Sequence, residues 1–144
     1  MIALLQRVRS AQVDVGNKTV ASIKQGLLVF VGFEQQDDEQ NCAKMLTRIL
    51  NYRVFADEND KMNCSLLDMK GELLIVPQFT LVADTKKGRR PSFAKAANPE
   101  IGQRLFHFVV SQARKTNLLI QQGQFAADMQ VHLQNDGPET FILK

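Results

Sequence analysis

Chemically versatile side chains are scarce in this sequence, with only His107 and His132 among 144 residues, beside two cysteines, one tyrosine and no tryptophan. Each shortage removes a class of chemistry. A serine-histidine-aspartate hydrolase needs an imidazole next to its nucleophile. His107 lies between Phe106 and Phe108 in a helical stretch, His132 sits in an alternating strand, and no nucleophile motif accompanies either. Both read as surface or packing residues rather than general bases. Cys42 and Cys64 form no Cys-x-x-Cys pair and stand at no ligand spacing from the histidines, so no metal site is expected. Gly-x-Ser-x-Gly, a phosphate-cradling glycine loop and His-Glu-x-x-His are also missing. No cofactor is expected.

Long apolar runs are missing too. None approaches the roughly 18 residues of a membrane span, and the opening Met1-Ile2-Ala3-Leu4-Leu5-Gln6-Arg7 meets a charge too early for a signal peptide. The expectation is a cytoplasmic protein with no membrane partner. With four prolines, 44% hydrophobic and 23% charged residues, the composition is that of an ordered globular protein. Residues 1–144 are expected to form one domain around one core. A net charge of +3 and a pI near 9.0 suit a polyanionic ligand without demanding one.

The patterning predicts strands first. Ile2 to Val8 is rich in branched residues, Val13 to Ile23 continues with polar interruptions, and Gly16-Asn17-Lys18 reads as a hairpin turn. Leu27 to Val31 is continuously apolar between Gly26 and Gly32, as in a strand buried on both faces. Asp37 and Asp38 can cap a helix with apolar positions Cys42, Leu46, Ile49 and Leu50, ending near Tyr52. The polar stretch from Ala56 to Lys61 resembles a calcium loop but lacks its glycine and terminal glutamate, and reads as a solvated turn. Leu73 to Val76 is a further strand, and Pro77 after it predicts an edge or an irregularity. Asn98 and Pro99 open a second helix, with Ile101, Leu105, Phe108 and Val109 as its stripe, running to about Lys115. Met129, Val131 and Leu133 alternate with polar residues before Asn135-Asp136-Gly137-Pro138 turns into a closing strand, Thr140 to Leu143. The fold class is α+β, with mixed sheets packed against helices.

Several segments carry a family likeness. Ile2-Ala3-Leu4-Leu5-Gln6-Arg7-Val8, Lys61-Met62-Asn63, Pro77-Gln78-Phe79-Thr80-Leu81, Arg90-Pro91-Ser92-Phe93, Phe125-Ala126-Ala127-Asp128-Met129 and Asn135-Asp136-Gly137-Pro138-x-Thr140 resemble, in this order, the D-aminoacyl-tRNA deacylases. The likeness spans essentially the whole chain. It implies mixed sheets forming a barrel-like core with two main helices. It also implies hydrolysis of the ester joining a D-amino acid, or glycine, to the terminal adenosine of tRNA. Gln78, Phe79 and Thr80 correspond to the catalytic pocket floor. Gly137 and Pro138, joined by a cis peptide and donated by the second subunit of a homodimer, correspond to the element that screens chirality. Arg7 matches an arginine beside that element, and Phe125 and Met129 match residues lining the adenosine pocket.

The residue types make sense of those roles. An X-Pro bond costs only about 0.5–1 kcal/mol to hold cis, and glycine before it removes the Cβ that would block a pocket mouth. With main-chain carbonyls turned inward, an L side chain would collide where a D side chain points away; glycine passes such a gate as well. A plain turn is the simpler reading of the same dipeptide. Thr80 lacks a neighbouring base, so it is a poor nucleophile; water activated by the terminal ribose 2′-hydroxyl, with main-chain N–H groups near Phe79 and Thr80 holding the oxyanion, fits better. For Phe125 and Met129 core packing is the competing reading, as a surface charge is for Arg7. Lys86, Lys87, Arg89 and Arg90 form a basic loop suited to tRNA phosphates, or simply to solvent. Two positions depart from the family: Pro77 stands where serine is typical, and Glu139 where valine is. An editing enzyme with relaxed chirality and a non-catalytic nucleic-acid binder remain as alternatives.

Overall fold

The computed structural model describes residues 1–144. Eight strands and three helices follow in the order β1 (Ile2–Val15), β2 (Lys18–Ile23), β3 (Gly26–Gly32), α1 (Glu39–Asn51), β4 (Phe55–Ala56), β5 (Met62–Cys64), α2 (Leu66–Met69), β6 (Glu72–Pro77), α3 (Pro99–Ala113), β7 (Ile120–Gln122) and β8 (Met129–Leu143). A short 3-10 turn, Phe79–Val82, follows β6. The main sheet has the order β2-β1-β3-β6-β7, with β8 also on β1, and β4 and β5 form a separate ribbon. β3, β6 and β7 run parallel, while β1 meets β2, β3 and β8 antiparallel, so the sheet is mixed.

The continuous apolar runs are explained by two cores. Leu27, Val29 and Val31 of β3, with Leu73 and Ile75 of β6, join α1 and α3 in the larger cluster. Leu28, Leu74 and Val76 face the other way, into a second cluster with Ala21 and Ile23 of β2. The sheet therefore curls until β2 lies over β6 and β7, giving a nearly closed barrel whose interior is the second cluster. Both sheet faces are dry, so β3 and β6 show no alternation.

β1 changes faces partway. Ala3 and Leu5 belong to the helix-side core, but Val8, Ala11 and Val13 belong to the barrel interior. Val8 faces the interior by ordinary alternation from Leu5, and the slip at Val8/Ser10, where two steps of β1 match one of β8, exchanges the faces so that Ala11 and Val13 point inward as well.

Local expectations hold with corrections. Gly16, at φ +60, turns β1 into β2. Asp38 caps α1 by accepting from Asn41 N, whereas Asp37 does not cap; it accepts from Glu34 N and pairs with the Met1 ammonium. A third helix, α2, was not expected; a capping box between Ser65 and Asp68 makes it. The Asp57 carboxylate organises its polar turn, accepting from the Asn63 amide and from the N–H groups of Lys61 and Asn59, which hold its pKa below the usual range. No helix is long and apolar enough to cross a membrane.

Two further corrections concern the segments of functional interest. Of the two readings of Pro77 the edge fails and the irregularity holds: β6 is an interior strand, and Pro77 stands at its end opposite Val31. The ladder to β7 stops at Ile75 and Gln122, with Gly123 N donating to Ile75 O. The next parallel rung would require an N–H at position 77, which proline lacks. Asn135 to Pro138 is no hairpin either: β8 is one strand, and both of its halves pair with β1 around an outlooped Asp136–Glu139.

Candidate active site

At the carboxyl ends of β3 and β6 the chain encloses a cavity of about 590 Å³. Its floor comes from Val31, Val76, Pro77, Gln78 and Phe79, and its far wall from Phe125 to Met129. The start of α3 closes a third side with Asn98 and Pro99, so the positive end of a 15-residue helix borders the space. Asn98 accepts from Ile101 N at 2.9 Å, and Pro99 occupies the first helical position, where a missing N–H is harmless.

Gln78, Phe79 and Thr80 do not continue β6; the strand ends and the 3-10 turn begins. Gln78 N still bonds Val31 O at 2.7 Å, which fixes the exit from the strand. Within the turn Leu81 N bonds Gln78 O and Ala83 N bonds Thr80 O, leaving the N–H groups of Phe79 and Thr80 at the open start of the turn. The Thr80 hydroxyl accepts from the Gln78 side chain, and Thr80 lies outside the cavity wall. His107 and His132 are both absent from this cavity. Phe79 is 60% exposed and packs on Phe93, with centroids 5.0 Å apart, so an aromatic surface lies at the cavity mouth.

Phe125 and Met129 reach the same space for identifiable reasons. Gly102 of α3 has no Cβ, and one built there would lie 3.4 Å from the Phe125 ring, so helix and ring touch closely. Gly123 does the same for Met129, whose Sδ would lie 2.9 Å from an added Cβ. Between them Ala126 adopts φ +60, an unfavoured conformation for a residue with a Cβ, and it lines the cavity. The sequence names Asn98 only as a helix cap and Ala126 only within the family-like segment, and it does not mark Gly102 at all. The one available signal was Gly102 itself, since a glycine inside a helix usually has a packing reason.

Gly137 and Pro138 are elsewhere. Their peptide bond is cis, and Gly137 has φ +133, in the region that favours glycine. The loop projects beside β1 where Arg7 faces Leu27, four residues back from Val31 along β3, or about 13 Å of strand. It contributes nothing to this chain's own cavity.

The loop is tightly braced. Arg7, its side chain only 15% exposed, donates from Nε to Asp136 O at 3.1 Å and from Nη1 to Val54 O at 2.6 Å. It is thus no free surface charge, and it sits with the loop rather than with Phe125 and Met129. Asn135 Nδ2 bridges the loop's base, donating to Arg7 O at 2.9 Å and Glu139 O at 3.0 Å, and the Thr140 hydroxyl donates to Asn135 Oδ1 at 3.3 Å. Arg9 adds an exposed contact to Asp136 Oδ1 at 3.3 Å. The spacing Asn135-x-Gly137-Pro138-x-Thr140 is therefore that of a clamped loop.

Lys86, Lys87, Arg89 and Arg90 are exposed on a loop that Asp84 and Ser92 close with two main-chain bonds, and none of the four has an ion-pair partner.

Known proteins match this chain end to end. Residues 4–144 fit the family model described as D-Tyr-tRNA(Tyr) deacylase. A protein of Pseudoalteromonas translucida named D-aminoacyl-tRNA deacylase is 56% identical over 143 residues, covering 99% of each chain. Among solved structures, one of a c-Myc DNA unwinding element binding protein superposes with a TM-score of 0.95 at 40% identity, covering 100% of this chain and 98% of the other. Another, described as a probable eukaryotic D-amino acid tRNA deacylase, superposes with a TM-score of 0.83 at 19% identity and 99% and 97% coverage, a likeness of fold. The chain belongs to the D-Tyr-tRNA(Tyr) deacylase family.

Proposed function

We propose that this protein hydrolyses the ester of D-aminoacyl-tRNA, releasing D-amino acid and tRNA, and that two copies must join to make each complete site. The observation that carries the second part is the separation just described. The cavity floored by Gln78 and Phe79 and the clamped Gly137-Pro138 loop are both exposed, yet far apart in one chain. A second copy brings its loop to the first copy's cavity. β8 supports this, since its 15 residues have β1 as their only neighbour, and Leu133 and Ile142 on it are 37% and 59% exposed. Such an edge ordinarily requires cover.

In the joined site, Phe125 and Met129 hold the terminal adenosine, an aromatic face and a thioether both suiting a purine. The ester carbonyl lies over the start of the 3-10 turn, where the N–H groups of Phe79 and Thr80 meet the developing oxyanion. The ribose 2′-hydroxyl, not Thr80, assists the attacking water, because the Thr80 hydroxyl already accepts from Gln78 and has no base beside it. The partner's loop excludes an L side chain with main chain and leaves room for a D one. Glycine, having no side chain, also passes, so glycyl-tRNA is a second substrate. Glu139 turns its carbonyl to Asn135, so valine's replacement there leaves the clamp intact.

Incubation of D-Tyr-tRNA, L-Tyr-tRNA and Gly-tRNA with purified protein tests this directly. Rapid release from the D and glycyl esters with the L ester spared is expected. Equal D and L rates would remove the gate, and no D hydrolysis at micromolar enzyme would leave only a nucleic-acid-binding protein.

A further inference from the structure

A second cavity, of about 480 Å³, lies behind Phe125 and Gly123. Phe125 lines both cavities, and Gly123 meets Met129 of the first, so the two share a wall. The lining differs sharply from the first. Four glutamines, Gln103, Gln121, Gln122 and Gln124, are joined by His107 and Arg114, and no carboxylate lines the space. Arg114 makes no ion pair within the chain.

Primary amides carry both donor and acceptor, so they can pair with the edge of an unstacked base without a charge requirement. An unpaired guanidinium beside them suits a phosphodiester. The volume falls in the range of small-ligand sites, roughly 300–1,000 Å³. We propose that this amide-lined cavity receives the ribonucleotide preceding the terminal adenosine of the substrate, with Arg114 on the connecting phosphate and the glutamine amides, Gln124 foremost, on the base edge. The inference rests on the reading that the first cavity holds that adenosine. A strand leaving it past Phe125 enters this one next.

Two synthetic substrates separate the parts: the D-tyrosyl ester of adenosine, and the D-tyrosyl ester of cytidylyl-(3′→5′)-adenosine. Wild-type protein is expected to prefer the dinucleotide ester in kcat/KM by about fivefold or more, the gain from one phosphate contact and one base. The double variant Arg114→Ala/Gln124→Ala is expected to bring that preference to about unity while cleaving the adenosine ester at the wild-type rate, which also reports that it is folded. Gln103→Glu, placing a carboxylate in the cavity, should lower the dinucleotide rate alone. A wild-type enzyme without preference, or variants that keep it, would overturn this inference and leave the deacylase reading standing. If wild type cleaves neither short ester but releases D-tyrosine from D-Tyr-tRNA, this inference falls and the deacylase reading stands; if D-Tyr-tRNA is spared too, both fall.

Discussion

Asn135 and Arg7 exchange side-chain-to-main-chain hydrogen bonds across two strands: Asn135 Nδ2 donates to Arg7 O at 2.9 Å, and Arg7 Nε donates to Asp136 O at 3.1 Å. Each side chain thus fixes the backbone that carries or adjoins the other, and the Gly137-Pro138 loop is held rigidly between them. Asn135→Ala leaves the part-buried carbonyls of Arg7 and Glu139 without their donor, at a cost of about 1–3 kcal/mol. A lower melting temperature and a lower D-to-L rate ratio are expected from thermal denaturation and deacylation assays. A wild-type ratio in a destabilised protein would reduce Asn135 to a structural role.

Arg7→Lys retains the charge but not the fork that reaches Val54 O and Asp136 O together. One carbonyl loses its partner, so selectivity against L-Tyr-tRNA should weaken while circular dichroism stays native. The informative quantity is L-ester hydrolysis, which should rise.

Glycines test the close crossings. A Cβ at Gly26 would lie 1.8 Å from Glu72 O on the neighbouring parallel strand, and no side-chain adjustment relieves a main-chain clash. Gly26→Ala should cost more than about 3 kcal/mol and yield little soluble protein. Gly88→Ala, at φ +74 with nothing within 4 Å, should cost only about 1–2 kcal/mol in chemical denaturation.

Burial, with Asp37 nearby, pushes the Cys42 thiol up to about 12. Ellman's reagent near pH 8 should modify Cys64 in the native protein and reach Cys42 only after unfolding. Because the folded pKa is raised, the stability from Cys42 is complete below its ordinary value of 9.0 and is lost as pH rises from there through about 12. Replacing Cys42 by alanine should flatten the stability curve in that alkaline window.

Neutralising Lys86, Lys87, Arg89 and Arg90 to glutamine should weaken tRNA binding and flatten its dependence on salt. Each residue in contact with a phosphate should remove about 0.7–0.9 from the log-log slope. An unchanged slope would take the loop off the binding surface.

Short-range patterns carried much of the fold. The turn at Gly16, the capping of α1 by Asp38 and the opening of α3 at Asn98-Pro99 depend on a few adjacent residues, and each was readable. The two-sided burial of Leu27 to Val31 was readable as well, because a strand without alternation has no wet face. Phe106 was not assigned to the stripe of α3 although it is 1% exposed, since one flank of a helix can be buried only by neighbours that the local period does not reveal.

The sequence alone determined the family likeness and the order of the longer strands and the two main helices, which are properties of residue type and local spacing. Only the tertiary structure decided that Asn135–Thr140 is a clamped bulge in one strand, that Gly102 and Gly123 admit Phe125 and Met129 to one cavity, and that the Gly137-Pro138 loop stands apart from it. These depend on register slips and on contacts between residues more than a hundred positions apart, such as Arg7 with Asp136. Local periodicity repeats every two or 3.6 residues and carries no record of which distant strand will supply the partner.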